Sequence, residues 1–498
     1  MQKRLAFVLS IFIFFILFNS LSYPDPAHNF HTATPIKHIL VLFQENVSFD
    51  HYFATYPHAL NPPGEPPFYP KPGTPSINGL TSYLLHHNPN LVNPFRLDRS
   101  QVSTCDQNHE YKAEIKAYNG GLMNHFVQET GSRYDHCNPD TVMGYFDGNT
   151  VTALWNYAQR FAMDDNAFGT NFGPSTMGAL NLIAGTNAGA HPRNYKDTIV
   201  NGVDIADIDP TYDDCSNHHK QTMSITGENI GDLLNKKRIT WGWFQGGFTP
   251  TKRIHGIAVC GSYSYNVLGR KIRNYMPHHE PFQYFKQTAN PHHLPPSSPY
   301  KIGYTDQANH QYGLRDFWQS LKYHVMPAVC FIKAPAVGDG HAGMGYSDPL
   351  DEQKYLVNFL NRFQKSPEWK STLIVLTYDD SDGWYDHVMP PILRHSDDPK
   401  NDSGLCGKGA ADTQDRCGPG PRLPFLIISP YSKINDVSHH FLEQTSILRF
   451  IEDNWKLGRL KNPADADRES GSILDMLNFQ HPNFSPLFLD PKTGKPTY

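Results

Sequence analysis

Short, unbroken apolar runs alternate along the chain with stretches whose hydrophobic positions recur at helical spacing. "HILVLF", "LIVLTYDD" and "LPFLIISPY" are continuous apolar runs, the signature of strands covered on both faces. "ITWGWF" and "AVCFIKAP" are two more candidates. Between them, the segment from Asp348 predicts a helix, with Asp348 as N-cap and Pro349 in the first helical position. Tyr355, Leu356, Phe359, Leu360 and Phe363 form its apolar face, and Ser366 and Pro367 stop it. A last helix is expected from Ser438 as cap, with Phe441, Leu448, Ile451 and Trp455 on its buried side. The alternation predicts an α/β fold with a central, mostly parallel sheet flanked by helices. Two stretches break the pattern. Residues 61–75 hold seven prolines in fifteen positions, which excludes a central strand. Residues 397–422 are rich in Gly, Asp and Pro. Residues 190–310, dense in aromatics, histidines and turn formers, are expected to form a large insertion or cap over the sheet.

Composition narrows the class. The chain has 498 residues, 39% of them hydrophobic, and a formal net charge of −5. It carries no basic footprint for nucleic acid. The start reads as an export signal over 1–22: Lys3 and Arg4, then an apolar stretch over 5–18, then small residues at Ser20 and Ser22. An uncleaved anchor is the rival reading. The remaining 23–498 is read as a single domain, with its core at about 36–455 and the cap at about 190–310, and the product as periplasmic or secreted. All seven cysteines follow the signal, so disulfides are permitted. Cys406 with Cys417 is the first choice of pair, with Cys105–Cys137 and Cys215–Cys260 as further pairs and Cys330 as a buried thiol.

The chemistry is expected at strand tips, because open α/β sheets bind ligands beyond the carboxyl ends of their strands. "HILVLF" runs into Glu45 and Asn46. "LIVLTY" runs into Asp379 and Asp380, with Asp382, Asp386 and His387 just beyond. Unit charges about 4 Å apart repel by roughly 4 kcal/mol at an effective dielectric near 20. If the two tips are neighbours, they need a proton or a cation, and oxygen ligands favour a hard divalent ion. Each pair taken alone could equally be a turn. In "NFGPSTMGALNLIAG", Ser175 and Thr176 open a short apolar helix that Gly185 ends, so a hydroxyl would sit at a positive helix end. That hydroxyl could be a simple cap, or a nucleophile activated by a metal. His109, His278, His279 and His341 all lie in turn-rich loops, although paired histidines recur elsewhere in this chain.

The segments "ENVSFDHYF", "CDQNHEY", "FGPSTMGALNLIAG", "MPHHEPFQYF", "DGHAGMGYSDPLDEQ" and "TYDDSDGWYDHV", in that order, resemble the bacterial phospholipase C and acid phosphatase phosphoesterase family of the alkaline phosphatase superfamily. The resemblance implies an alkaline-phosphatase-like sheet. It implies one divalent metal ion (Zn, Ca or Mg) held by Glu45, Asn46, Asp379 and Asp380, with Ser175 as a further ligand and as the nucleophile. It also implies that His109, His278, His279 and His341, with Asn46, contact the phosphate or protonate the leaving group. Val47 and Ala54 stand where the family usually has arginine and glycine.

The function expected is a secreted, metal-dependent phosphoesterase, of the phospholipase C type on phosphatidylcholine-like lipids, with transient contact to a membrane surface. A broad-specificity acid phosphatase acting on phosphomonoesters is the alternative. A secreted metal-binding protein without catalysis is the second.

Overall fold

The computed structural model describes residues 26–194, 198–343, 346–396, 398–402, 404–407, 416–461 and 466–497. The expected export signal lies outside them. Among the described residues no helix is long and apolar enough to cross a membrane.

The core is an eight-stranded sheet. Numbered in chain order, its strands are β1 (His38–Gln44), β2 (Ala162–Asp164), β3 (Trp241–Gln245), β4 (Gln311–Gly313), β5 (Val329–Lys333), β6 (Thr372–Tyr378), β7 (Phe425–Ile428) and β8 (Asp436–Ser438). They lie in the order β4-β3-β5-β1-β6-β7-β2-β8. The five strands from β4 to β6 are parallel. β7 runs antiparallel between β6 and β2, and β8 pairs parallel with β2.

Alternation along β1 explains its unbroken apolar sequence. Ile39, Val41 and Phe43 enter one core, and Leu40 and Leu42 enter the other. Number the flanking helices α1 (Thr152–Arg160), α2 (Ser175–Ala184), α3 (Ile230–Lys237), α4 (Leu314–Lys322), α5 (Pro349–Phe363) and α6 (Thr445–Trp455). Leu180 of α2, Leu234 of α3 and Leu448 of α6 fill the first core. Trp155 of α1, Phe317 of α4 and Leu360 of α5 fill the second. Each buried aliphatic side chain contributes roughly 1.5–3 kcal/mol relative to exposure, so both faces of the sheet must be covered.

Helix α5 starts as its sequence indicates: the Asp348 side chain accepts from the amides of Leu350 and Asp351. Helix α6 does not. Ser438 closes β8, and α6 begins only at Thr445, after the short strand Leu442–Glu443. The apolar spacing from Phe441 counted strand residues as a helical turn.

The stretch 190–310 is not wholly a cap, because Trp241–Gln245 is β3 of the central sheet. Disulfides join Cys105 to Cys137 and Cys215 to Cys260. Cys406 and Cys417, the pair preferred from the sequence, are buried thiols outside any disulfide, as is Cys330 in β5. Spacing across a Gly-rich loop did not distinguish two adjacent thiols from a bridge.

Candidate active site

The parallel register aligns the carboxyl ends of four neighbouring strands. Gln44 pairs with Tyr378, Phe43 with Lys333, and Lys333 with Gln245. Glu45–Asn46 and Asp379–Asp380 therefore leave adjacent strands side by side. Backbone bonds hold the two tips together: the Asn46 amide donates to Asp379 Oδ1 at 3.0 Å, and the Val47 amide to the Asp380 carbonyl at 2.9 Å. Asn46 has φ 58°, a left-handed conformation that asparagine tolerates better than most residues.

Helix α2 brings Ser175 to this point. Its oxygen lies 3.2 Å from Glu45 Oε2, 3.2 Å from Asn46 Oδ1 and 2.9 Å from Asp380 Oδ2. All four residues are buried. A hydroxyl has one proton to donate, so Ser175 itself can satisfy only one of these three oxygens. Turning the Asn46 amide over would let its nitrogen donate to Ser175 and Glu45, and its oxygen accept from His341 Nε2 at 3.2 Å. Four converging oxygens suit a cation.

The charge balance points the same way. Burial first, then Asp379, push Glu45 well above the ordinary carboxylate range in spite of Lys333. Asp380 is also raised, by burial and then by Asp379, against the pull of His109. Lys333 of β5 is the buried cation of the cluster. It pairs with Glu45 Oε1 and lies 3.4 Å from Asp379 Oδ2. Burial lowers its pKa, but Glu45 and Asp379 more than restore it. Lys333 first, then the hydrogen bond with Glu45, hold Asp379 low against its own burial. A Glu45 carboxylate oxygen, a His279 ring nitrogen and an Asp339 oxygen come within 4.8 Å of one another. His279 Nε2 and Asp339 Oδ2 have no hydrogen-bond partner within the protein. Surplus buried carboxylate, orphaned polar atoms and an oxygen cage around Ser175 fit a divalent ion.

The four histidines surround this centre in two kinds of setting. His109 sets Nδ1 at 3.1 Å from Asp382 Oδ1, and His278 sets Nδ1 at 3.6 Å from Asp209 Oδ1. Burial lowers both, yet carboxylates (Asp380 and Asp382 for His109, Asp207 and Asp209 for His278) raise both above the ordinary histidine value. His279 and His341 are lowered, chiefly by burial. His279 Nδ1 stands 3.2 Å from Glu45 Oε1, and His341 Nδ1 is 2.6 Å from the Ala342 carbonyl.

The helix start is not a bare set of donors. The Thr176 amide already donates to Asp207 Oδ1 at 2.9 Å. Asp207 and His109 line a cleft of about 510 Å³ with Asp106, Asn108 and Tyr134.

The structure thus brings Glu45, Asn46, Ser175 and Asp380 into direct contact. Asp379 adjoins them, bound to the Asn46 amide and near Lys333. Lys333 and Asp339 were missed in the sequence. A lysine ending the apolar run "VCFIK" was the available signal for the first. For Asp339, buried in "GDGHAG", the neighbouring His341 drew the attention.

The Phosphoesterase family model matches residues 36–458. The chain belongs to the Phosphoesterase family. The non-hemolytic phospholipase C of Pseudomonas aeruginosa is 24% identical to it over 491 residues, covering 94% of this chain and 61% of that protein. The non-hemolytic phospholipase C of Burkholderia pseudomallei is 25% identical, covering 91% and 60%. This Phosphoesterase family member spans about three fifths of the length of these two relatives. Among solved structures, an alkaline phosphatase superfamily protein from Vibrio parahaemolyticus is similar with a TM-score of 0.31 and 10% identity, covering 71% of this chain and 67% of that chain.

Proposed function

We propose that the protein is a metal-dependent phosphoesterase that cleaves phosphate esters through Ser175, acting on phospholipids in the manner of a phospholipase C. The observation that carries this reading is the placement of Ser175 Oγ within 3.2 Å of oxygens from Glu45, Asn46 and Asp380, at the first turn of α2.

Glu45, Asn46, Asp379 and Asp380 would hold the divalent ion. Bound there, it would neutralise the carboxylates, favour the ionised hydroxyl and draw charge from the phosphate. Ser175 Oγ attacks phosphorus, and the alcohol leaves from the opposite side. Its oxygen needs a proton. His109 and His278 are the donors best prepared to supply it, because each has a carboxylate behind Nδ1 that orients the ring and stabilises its cation. Water then attacks the phosphoserine, the P–Oγ bond breaks to free Ser175 and release the phosphorylated head group, and the same histidine takes that water's proton. Positioning and charge neutralisation supply most of the acceleration in phosphoryl transfer.

Support for a lipid substrate comes from the relatives named phospholipase C. Export through residues 1–22 belongs to the same reading. The test is a panel of phosphatidylcholine, p-nitrophenyl phosphorylcholine and p-nitrophenyl phosphate, with the wild type beside Ser175→Ala. The wild type should turn over the phosphodiesters, and the variant should lose at least about a thousandfold while staying folded. Ordinary turnover by Ser175→Ala removes the nucleophile. Turnover of the monoester alone moves the protein to the acid-phosphatase reading.

A further inference from the structure

Between β3 and the histidine pair the chain builds two β-hairpins that no part of the site uses. The first pairs Lys252–Ile254 with Ile257–Val259, and the second pairs Tyr263–Tyr265 with Lys271–Arg273. Both turns put aliphatic side chains into solvent. Ile254 is 48% and Ile257 53% exposed in the first; Val267 is 46% and Leu268 49% exposed in the second. Tyr263 and Tyr265 are exposed on the second hairpin as well, and Lys271 Nζ lies 3.7 Å over the Tyr263 ring.

The charge of the hairpin segment has one sign. From Phe248 to His279 the sequence holds five Lys and Arg and no Asp or Glu, in a chain whose net charge is −5. Lys252, Arg253, Arg270, Lys271 and Arg273 are all exposed. Two acids beside the hairpins are tied to their backbone: Asp214 accepts from the Ala258 amide and Asp351 from the Val267 amide, each at 2.9 Å.

The hairpins are fixed to each other and to the site. Arg273 Nε donates to the Cys260 carbonyl at 3.2 Å, and the Asn274 amide to the Ser262 carbonyl at 3.1 Å. The Cys215–Cys260 disulfide anchors the base of the first hairpin. Asn266 donates to the carbonyl of Tyr346, whose ring packs 4.5 Å from that of His341. The second hairpin leads through Met276 into His278 and His279.

We propose that these two hairpins are a membrane-docking surface, and that their partner is an anionic phospholipid bilayer. Aliphatic tips enter the headgroup region, tyrosines lie at its level, and the lysines and arginines meet lipid phosphates. Each basic residue near an anionic leaflet strengthens binding by about fivefold. The attachment to Tyr346 and to the 278–279 segment would hold the site near the lipid it cleaves. This inference builds on the phospholipid reading of the site.

Flotation with vesicles tests it without requiring turnover. The purified protein should float with mixed phosphatidylcholine–phosphatidylglycerol vesicles and bind pure phosphatidylcholine less. A variant with Ile254→Ser, Ile257→Ser, Val267→Ser and Leu268→Ser should lose at least tenfold in binding, and one with Lys252→Gln, Arg270→Gln and Lys271→Gln should lose its preference for the anionic vesicles. Both should keep the wild-type melting temperature and the wild-type rate on p-nitrophenyl phosphorylcholine. Absence of wild-type binding to either vesicle overturns the proposal. So does undiminished binding by the four-serine variant. A wild-type dimer in light scattering that this variant converts to monomer also overturns it, in favour of a second copy of the chain. Vesicle binding by a wild type that hydrolyses none of the esters would support the docking surface and remove the phosphoesterase reading.

Discussion

The backbone carbonyl of Asp379 stands where a side chain on Gly178 would have to go: a Cβ built there lies 2.1 Å from that oxygen. Gly178 is in α2, one turn after Ser175, and Asp379 is the first residue beyond β6. The missing side chain lets the helix rest directly on the strand tip.

Gly178→Ala should therefore displace α2 from the tip of β6. We expect a loss of about 1–3 kcal/mol in stability, the usual cost of overpacking, and a larger proportional loss in kcat than in substrate affinity. Chemical denaturation and steady-state kinetics check it. Unchanged stability and turnover would show that helix and strand do not meet this closely.

Lys333 carries the second expectation. It is 1% exposed and lies between Glu45 and Asp379. Lys333→Met leaves both carboxylates buried without that cation, a change that typically costs about 3–5 kcal/mol. The variant should melt well below the wild type in chelator, and added divalent ion should raise its melting temperature more than the wild type's. Equal responses to metal would contradict a shared electrostatic site.

His51 sets an acid limit on stability away from that centre. Its ring stacks 3.8 Å from Trp384, and Nδ1 is 2.8 Å from the Gly144 carbonyl. Burial drives its pKa down to about 3, against about 6.5 in an unfolded chain. Below about pH 6.5 the unfolded chain takes up a proton that the folded one refuses. Stability then falls with falling pH by up to about 1.4 kcal/mol per unit, and this contribution levels off once the pH passes about 3. His51→Gln should flatten the acid limb of a stability–pH curve measured by denaturant titration. An unchanged slope would mean that His51 is protonated in the fold.

Much of this site was legible because its elements obey local rules. Glu45–Asn46 and Asp379–Asp380 follow unbroken apolar runs, and a parallel sheet places such tips at one edge. Ser175 follows a Gly–Pro turn and opens a helix that Gly185 ends in the left-handed conformation. What the sequence left hidden depends on contacts between distant segments. Lys333 reads as an ordinary strand residue until β5 pairs with β1. Asp207 reads as loop until it reaches the Thr176 amide. The bridge expected between Cys406 and Cys417 is absent because loop spacing can bring two thiols together without joining them.

The central claim is a cation held where Ser175, Glu45, Asn46 and Asp380 converge. Anomalous diffraction from crystals of active, metal-loaded protein tests it most directly. The account predicts a metal peak bounded by Ser175 Oγ, Asn46 Oδ1 and the carboxylates of Glu45, Asp379 and Asp380, absent after chelation together with activity. A peak elsewhere, or full activity in protein that shows none, would contradict it.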